Sequence, residues 1–134
     1  MTERDDKLDI TEVLVRYATG IDRRDWSLFR TAFSSDCVLD YGDIGTWHGV
    51  DAVTEFMNQA HAMAGYTLHR LTNHAITVDG DSATARTYVD GLIMAADSTS
   101  GVNAIGFYDD ELVRTADGWR IIRRRFTPVR VVTV

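Results

Sequence analysis

The feature that most constrains this chain is the order of its hydrophobic periods. Steps of three and four residues come first, and strand-like alternation comes after them. Over Leu8–Ile21, the residues Ile10, Val13, Leu14, Tyr17, Ala18 and Ile21 share one helical face, with Arg16, Arg23 and Arg24 off it. A short helix is predicted over Trp26–Phe33, with Asp25 as N-cap and Trp26, Phe29 and Phe33 inward. A third is predicted over Ala52–Ala64, with Asp51 as N-cap and Val53, Phe56, Met57 and Ala60 inward. Between the last two, Cys37–Tyr41 and Thr46–His48 read as a short hairpin. From Gly65 onward, Tyr66–Val78, Ser82–Met94, Val102–Thr115 and Trp119–Thr127 read as long strands, with Asp79-Gly80 and Asp117-Gly118 as tight turns. Helices followed by a meander of strands make an α+β plan. A curved sheet wrapped over helices leaves a pocket between the layers, a default ligand site.

The 134 residues are expected to form one domain, 1–134. Twenty acidic against 14 basic residues give a net charge of -6, which disfavours a nucleic-acid partner. A single cysteine, Cys37, excludes an intrachain disulfide and a cysteine-rich metal site. No apolar run approaches the ~20 residues of a membrane span, so no membrane partner is expected. The charged stretch Met1–Lys7 is unlike a secretory signal, so a soluble, cytoplasmic protein is expected.

Several polar residues interrupt this apolar plan. His69 lies on the first long strand and is either a half-buried strand histidine or a base, because an imidazole titrates near neutrality. Asp22 ends the first apolar stripe, where it either caps the next segment or turns into the pocket. Tyr17 lies on the apolar face, as a core aromatic or as a hydrogen-bond donor in a dry pocket. His48, His61 and His74 lack metal-ligand spacing, so no metal is expected, and His61 reads as a surface residue of its helix. His74 has the parity of Ile76 and Val78 and His69 the opposite, unless a β-bulge lies between them. In the run Arg123-Arg124-Arg125, parity with Trp119 and Ile121 points Arg123 at the pocket.

The stretches Arg16-Tyr17 through Asp22 to Asp25-Trp26, Phe33-x-x-Asp36, Gly49, Thr67-Leu68-His69 through Asn73, Gly80-Asp81, Gly106-x-Tyr108 and Asp117-Gly118-Trp119-Arg120 resemble the SnoaL-like branch of the nuclear transport factor 2-like superfamily. The resemblance implies a cone-shaped α+β barrel, three N-terminal helices packed in a curved, mostly antiparallel sheet. Asp22 and His69 stand where scytalone dehydratase, bile-acid 7α-dehydratase and hexachlorocyclohexane dehydrochlorinase place a carboxylate and the histidine it orients. Tyr17 matches a tyrosine of the bile-acid enzyme. Where a ketosteroid isomerase carries its base, this chain has Tyr41. Asp90 is the nearest match to a further polar residue on the next long strand. The resemblance thus implies a cofactor-free lyase of dehydratase type, acting on an apolar cyclic or polycyclic small molecule. His69, Asp22 and Tyr17 would be catalytic, and Tyr41, Asp90 and Arg123 would bind substrate. The alternatives are a double-bond isomerase or cyclase, and a non-catalytic ligand-binding module. A homo-oligomer, trimer or dimer, is also implied.

Overall fold

The computed structural model describes residues 2–134. Helix α1 (Glu3–Asp22) begins before its apolar stripe because Thr2 and Asp5 form a capping box. The Thr2 hydroxyl accepts from the Asp5 N–H at 3.1 Å, and the Asp5 carboxylate accepts from the Thr2 N–H at 3.0 Å. Glu3, Asp5 and Asp6 in the first turn also complement the helix dipole. Asp6 is buried, and accepts from the Arg114 guanidinium at 2.8 and 3.0 Å and from the Trp119 indole at 3.2 Å. That contact fastens the start of the helix to the far end of the sheet.

Helix α2 (Trp26–Arg30) is capped by Asp25, whose carboxylate accepts from the Leu28 N–H. It stops short of Phe33, which instead begins strand β1 (Phe33–Asp40). Gly20 lets α2 approach α1, since a Cβ there would sit 2.7 Å from the Phe29 backbone. A short 3-10 turn (Gly42–Ile44) leads into β2 (Thr46–His48). Helix α3 (Val50–His61) is entered through Gly49 at φ 89°. Asp51 lies in its first turn and pairs with Arg30 at 2.7 Å instead of capping the helix.

The remaining strands are β3 (Ala64–Asp79), β4 (Ser82–Ala95), β5 (Gly101–Thr115) and β6 (Gly118–Thr133). They join β1 and β2 in one sheet of order β2-β1-β6-β5-β4-β3. Among the described residues only the β1–β6 pairing is parallel. This is the expected α+β class with a mixed, mostly antiparallel sheet. Ile10, Leu14 and Ile21 of α1 are fully buried with Phe29, Leu39 and Ile121 in the core between helices and sheet.

Two bulges set which side chains face that core. In β3, Thr72 pairs with Tyr88 and Ala75 with Arg86, leaving Asn73 and His74 opposite the single residue Thr87. Asn73 takes a left-handed φ of 55° there. The slip turns His74 to the same face as His69, where its Nδ1 meets the Thr87 hydroxyl at 3.1 Å. In β6, Ile121 pairs with Leu112 and Arg123 with Glu111, so Ile122 is the extra residue. No helix among the described residues is long and apolar enough to cross a membrane.

Candidate active site

The last residue of α1 brings a carboxylate to the start of β3. Asp22 Oδ1 accepts from the His69 ring Nδ1 at 2.7 Å and from the Thr67 hydroxyl at 2.9 Å. Oδ2 accepts from the His69 backbone N–H at 2.9 Å. Thr67 and His69 both point inward because they sit two apart on one strand. Arg24 takes a φ of 55°, and its guanidinium donates to the Ile21 carbonyl (2.9 Å), the Gly65 carbonyl (2.7 Å) and the Thr67 hydroxyl (2.9 Å). Held as an acceptor by Arg24, the Thr67 hydroxyl directs its own proton at Asp22. Burial raises the Asp22 pKa, but the hydrogen bonds from His69 and Thr67 outweigh it, and the carboxyl lies below its ordinary value. With its Nδ1–H given to a carboxylate, His69 presents the lone pair of Nε2 to the pocket.

Three tyrosines meet beside it. The Tyr17 hydroxyl is 2.6 Å from that of Tyr41 and 3.2 Å from that of Tyr108. Three hydroxyl protons serve two contacts, so one remains to donate to a ligand. All three line the pocket, and the Tyr17 ring centre is 6.4 Å from that of His69. Burial pushes the Tyr41 and Tyr108 phenols well above their ordinary pKa, with Arg124 pulling the other way, so both are neutral donors. The Arg124 guanidinium carbon lies 4.1 Å from the Tyr17 ring centre and 3.9 Å from that of Tyr108. It donates to Asp110 at 2.7 and 2.8 Å, in a pair wholly removed from solvent. Burial pushes the Asp110 carboxyl up, against the opposing pull of Arg124.

His61 forms a further part of the wall. It is buried, and its Nδ1–H donates to the Met57 carbonyl at 2.8 Å. Its ring centre is 5.9 Å from that of His69. Burial lowers its pKa, against the Met57 bond, so the ring is neutral.

These groups open onto a cavity of about 320 Å³ whose other walls are apolar, including Phe56, Met57, Val89, Ala104 and Phe126. Gly91, opposite His69 in the β3–β4 register, leaves the floor beside the imidazole open. Stacked Trp47 and Phe56, with ring centres 3.7 Å apart, stand against Tyr41. Among the described residues no group of three or more His, Cys, Asp or Glu side chains is arranged to hold a metal ion.

Of the residues expected at the site, Asp22, His69, Tyr17 and Tyr41 converge, and Asp90 and Arg123 do not. Asp90 points to the outer face, between inward-facing Val89 and Gly91, and pairs with Arg70 at 3.2 Å and Asn103 at 2.7 Å. Arg123 is turned outward by the Ile122 bulge and pairs with Glu111 at 3.2 Å, so Arg124 is the inward member of the triplet. His61, expected on the surface, is a wall of the pocket. The roles of Tyr108, Thr67, Arg24 and Asp110 have no counterpart in the reading of the sequence, although Tyr108 and Thr67 fall within its matched stretches.

A helical layer over a mixed sheet, with a pocket between them, is a fold shared with a nuclear transport factor 2-like protein of Novosphingobium aromaticivorans described as having a cystatin-like fold. Within that class, residues 2–125 match the SnoaL-like domain, and the chain belongs to that family. An uncharacterized protein of Mycobacterium tuberculosis is 33% identical over 129 residues, covering 92% of this chain and 86% of its own. A Novosphingobium aromaticivorans protein provisionally named an aromatic ring hydroxylase superposes with a TM-score of 0.90 at 29% identity, covering 100% of this chain and 96% of its own. Hexachlorocyclohexane dehydrochlorinase type 3 of Novosphingobium barchaimii shares the fold with a TM-score of 0.85 at 16% identity, over 95% of this chain and 88% of its own.

Proposed function

We propose that the protein is a lyase that removes water, or a comparable leaving group, from a small apolar cyclic compound, with His69 as the base. The observation that carries this reading is the 2.7 Å bond from His69 Nδ1 to Asp22, which commits one ring nitrogen and leaves Nε2 free in an apolar pocket. His69 Nε2 takes the proton from a carbon next to a carbonyl. The electron pair of that C–H bond forms the double bond as the C–O bond one carbon further on breaks. The departing oxygen recovers the proton from the imidazolium and leaves as water. Asp22 holds the ring in register and balances its transient charge. The free tyrosine proton donates to the carbonyl oxygen, where negative charge grows in the transition state. Fold neighbours that perform eliminations, such as the dehydrochlorinase, are compatible with this chemistry.

The test is a screen of cyclic β-hydroxy ketones for a new conjugated absorbance, with deuterium at the acidic carbon. His69→Ala is expected to lower turnover by about 10²–10⁴-fold while ligand affinity changes little. Tyr17→Phe is expected to cost less, since it removes one hydroxyl and keeps the ring. A wild-type protein that binds these compounds but yields neither absorbance change nor loss of deuterium would end the lyase reading in favour of a binding module.

A further inference from the structure

The apolar lining of the cavity continues past its mouth. Ile93 and Ala104 belong to the wall, and their cross-strand partners are Val102 and Val131. Paired residues of neighbouring strands stand on the same face of a sheet, so both valines lie on the cavity side. Val102 is 38% exposed and Val131 58%. The 3-10 turn packs beside β6 and carries Ile44, which lines the cavity and is 59% exposed. The polar neighbours point the other way: Arg130 is paired with Ile105, and Asn103 donates to Asp90 on the outer face. Ile44, Val131 and Val102 thus form an uncharged ledge joined to the cavity. Size narrows what covers it. Three aliphatic side chains fall far short of the roughly 20–30 residues a side in a stable protein interface. The cavity, at about 320 Å³, stands at the small end of the ~300–1,000 Å³ usual for ligand pockets. A ligand larger than one or two rings must continue onto the ledge.

We propose that the substrate is a cyclic compound bearing an aliphatic chain, with its ring in the cavity and its chain along Val131 and Val102. This rests on the reading that the cavity is the substrate site. It narrows the substrate class to alkyl-substituted rings and makes the two valines specificity residues. Ala104 and Val102 are two residues apart on β5, about 7 Å of strand, the reach of a chain of about five carbons. The ledge ends there, because Val102 is paired with the hydroxyl-bearing Thr133 and β5 begins at Gly101.

The test is a series of 4-alkylcyclohexanones, from methyl to octyl, titrated by calorimetry. These probes carry no leaving group, so they bind without turnover. Affinity is expected to rise about 2-fold per methylene, half the effect of full burial, up to about the fifth carbon and then to level off. Val131→Asp should remove most of that rise and leave 4-methylcyclohexanone bound as in wild type. Ile105→Thr, on the outer face, should leave the rise intact. A second readout needs no variant: the methyl resonances of Val102 and Val131 should move with 4-pentylcyclohexanone and stay still with 4-methylcyclohexanone. A flat series overturns the proposal. So does a rise that survives Val131→Asp, a fall in light-scattering mass in that variant, or failure of every probe to bind. The expected series in a protein without elimination activity would support the ledge while removing the lyase reading. Elimination with no dependence on chain length would do the reverse.

Discussion

Asp22 accepts three hydrogen bonds within 2.9 Å, two of them from His69. These bonds favour the ionised carboxylate more than burial disfavours it, so its pKa is lower in the folded chain than in the unfolded one. The carboxylate therefore stabilises the fold fully above the unfolded value, about 3.9, and that contribution is lost as pH falls through the lower folded value. Asp22→Asn, which cannot ionise, should be less stable than wild type at pH 6, and the gap should narrow as pH falls below about 4. Urea unfolding at both pH values measures it, and a gap that stays constant would show that the carboxylate charge contributes nothing. This part of the site was legible through the family resemblance, while spacing alone left Tyr17, Asp22 and His69 each open between a structural and a pocket role. What spacing could not supply is Arg24, whose left-handed turn folds a guanidinium back onto Thr67 from outside the stripe.

On strand β6, one extra residue decides which arginine is buried. Ile122 shifts the register, so Arg124 enters the core with Asp110 as partner, and Arg123 and Arg125 stay exposed. A buried pair of this kind contributes little over well-packed apolar residues, but removing one partner strands a charge. Asp110→Ala should therefore destabilise the protein by about 3–5 kcal/mol. The double replacement Asp110→Leu with Arg124→Met should cost much less, as read from the midpoints and slopes of denaturant curves. Equal losses in the two would mean that the ion pair itself is a net stabiliser. The sequence could not show this, because a bulge is a property of the pairing between strands, and strict alternation carried Arg123 inward. The bulge at Asn73 has the same origin. His61 is a different case. It continues the four-residue steps of Val53 and Met57, so the inward stripe of α3 already ran through it. Its polarity alone placed it on the surface.

For the whole molecule, the order of helical and alternating patterns was enough to give the class of fold, because each period buries one face and the two faces must meet. The second partner of β1, strand β6, was not readable, since no turn joins the two. The outer face of the sheet remains partly apolar, with Tyr88, Leu68 and Ile105 about 40–50% exposed. We expect this face to be covered by further copies of the chain, giving a light-scattering mass that is a multiple of 15.0 kDa. A mass of one chain at working concentrations would refute that.

The place of β6 between β1 and β5 also bears on how the sheet comes together. Of the six strands, the one made last joins the two parts of the sheet. Until Gly118–Thr133 has been synthesised, the hairpin of β1 and β2 has no further strand to pair with. Arg124 arrives with that strand, so Asp110 waits without its counter-charge and the tyrosines without their cationic backing. Closing so distant a parallel contact pays its loop entropy before any reward, a condition that slows folding. Helix α1 packs chiefly on β3, which precedes β6 in the chain, whereas the pocket gains its Phe126 wall only with β6.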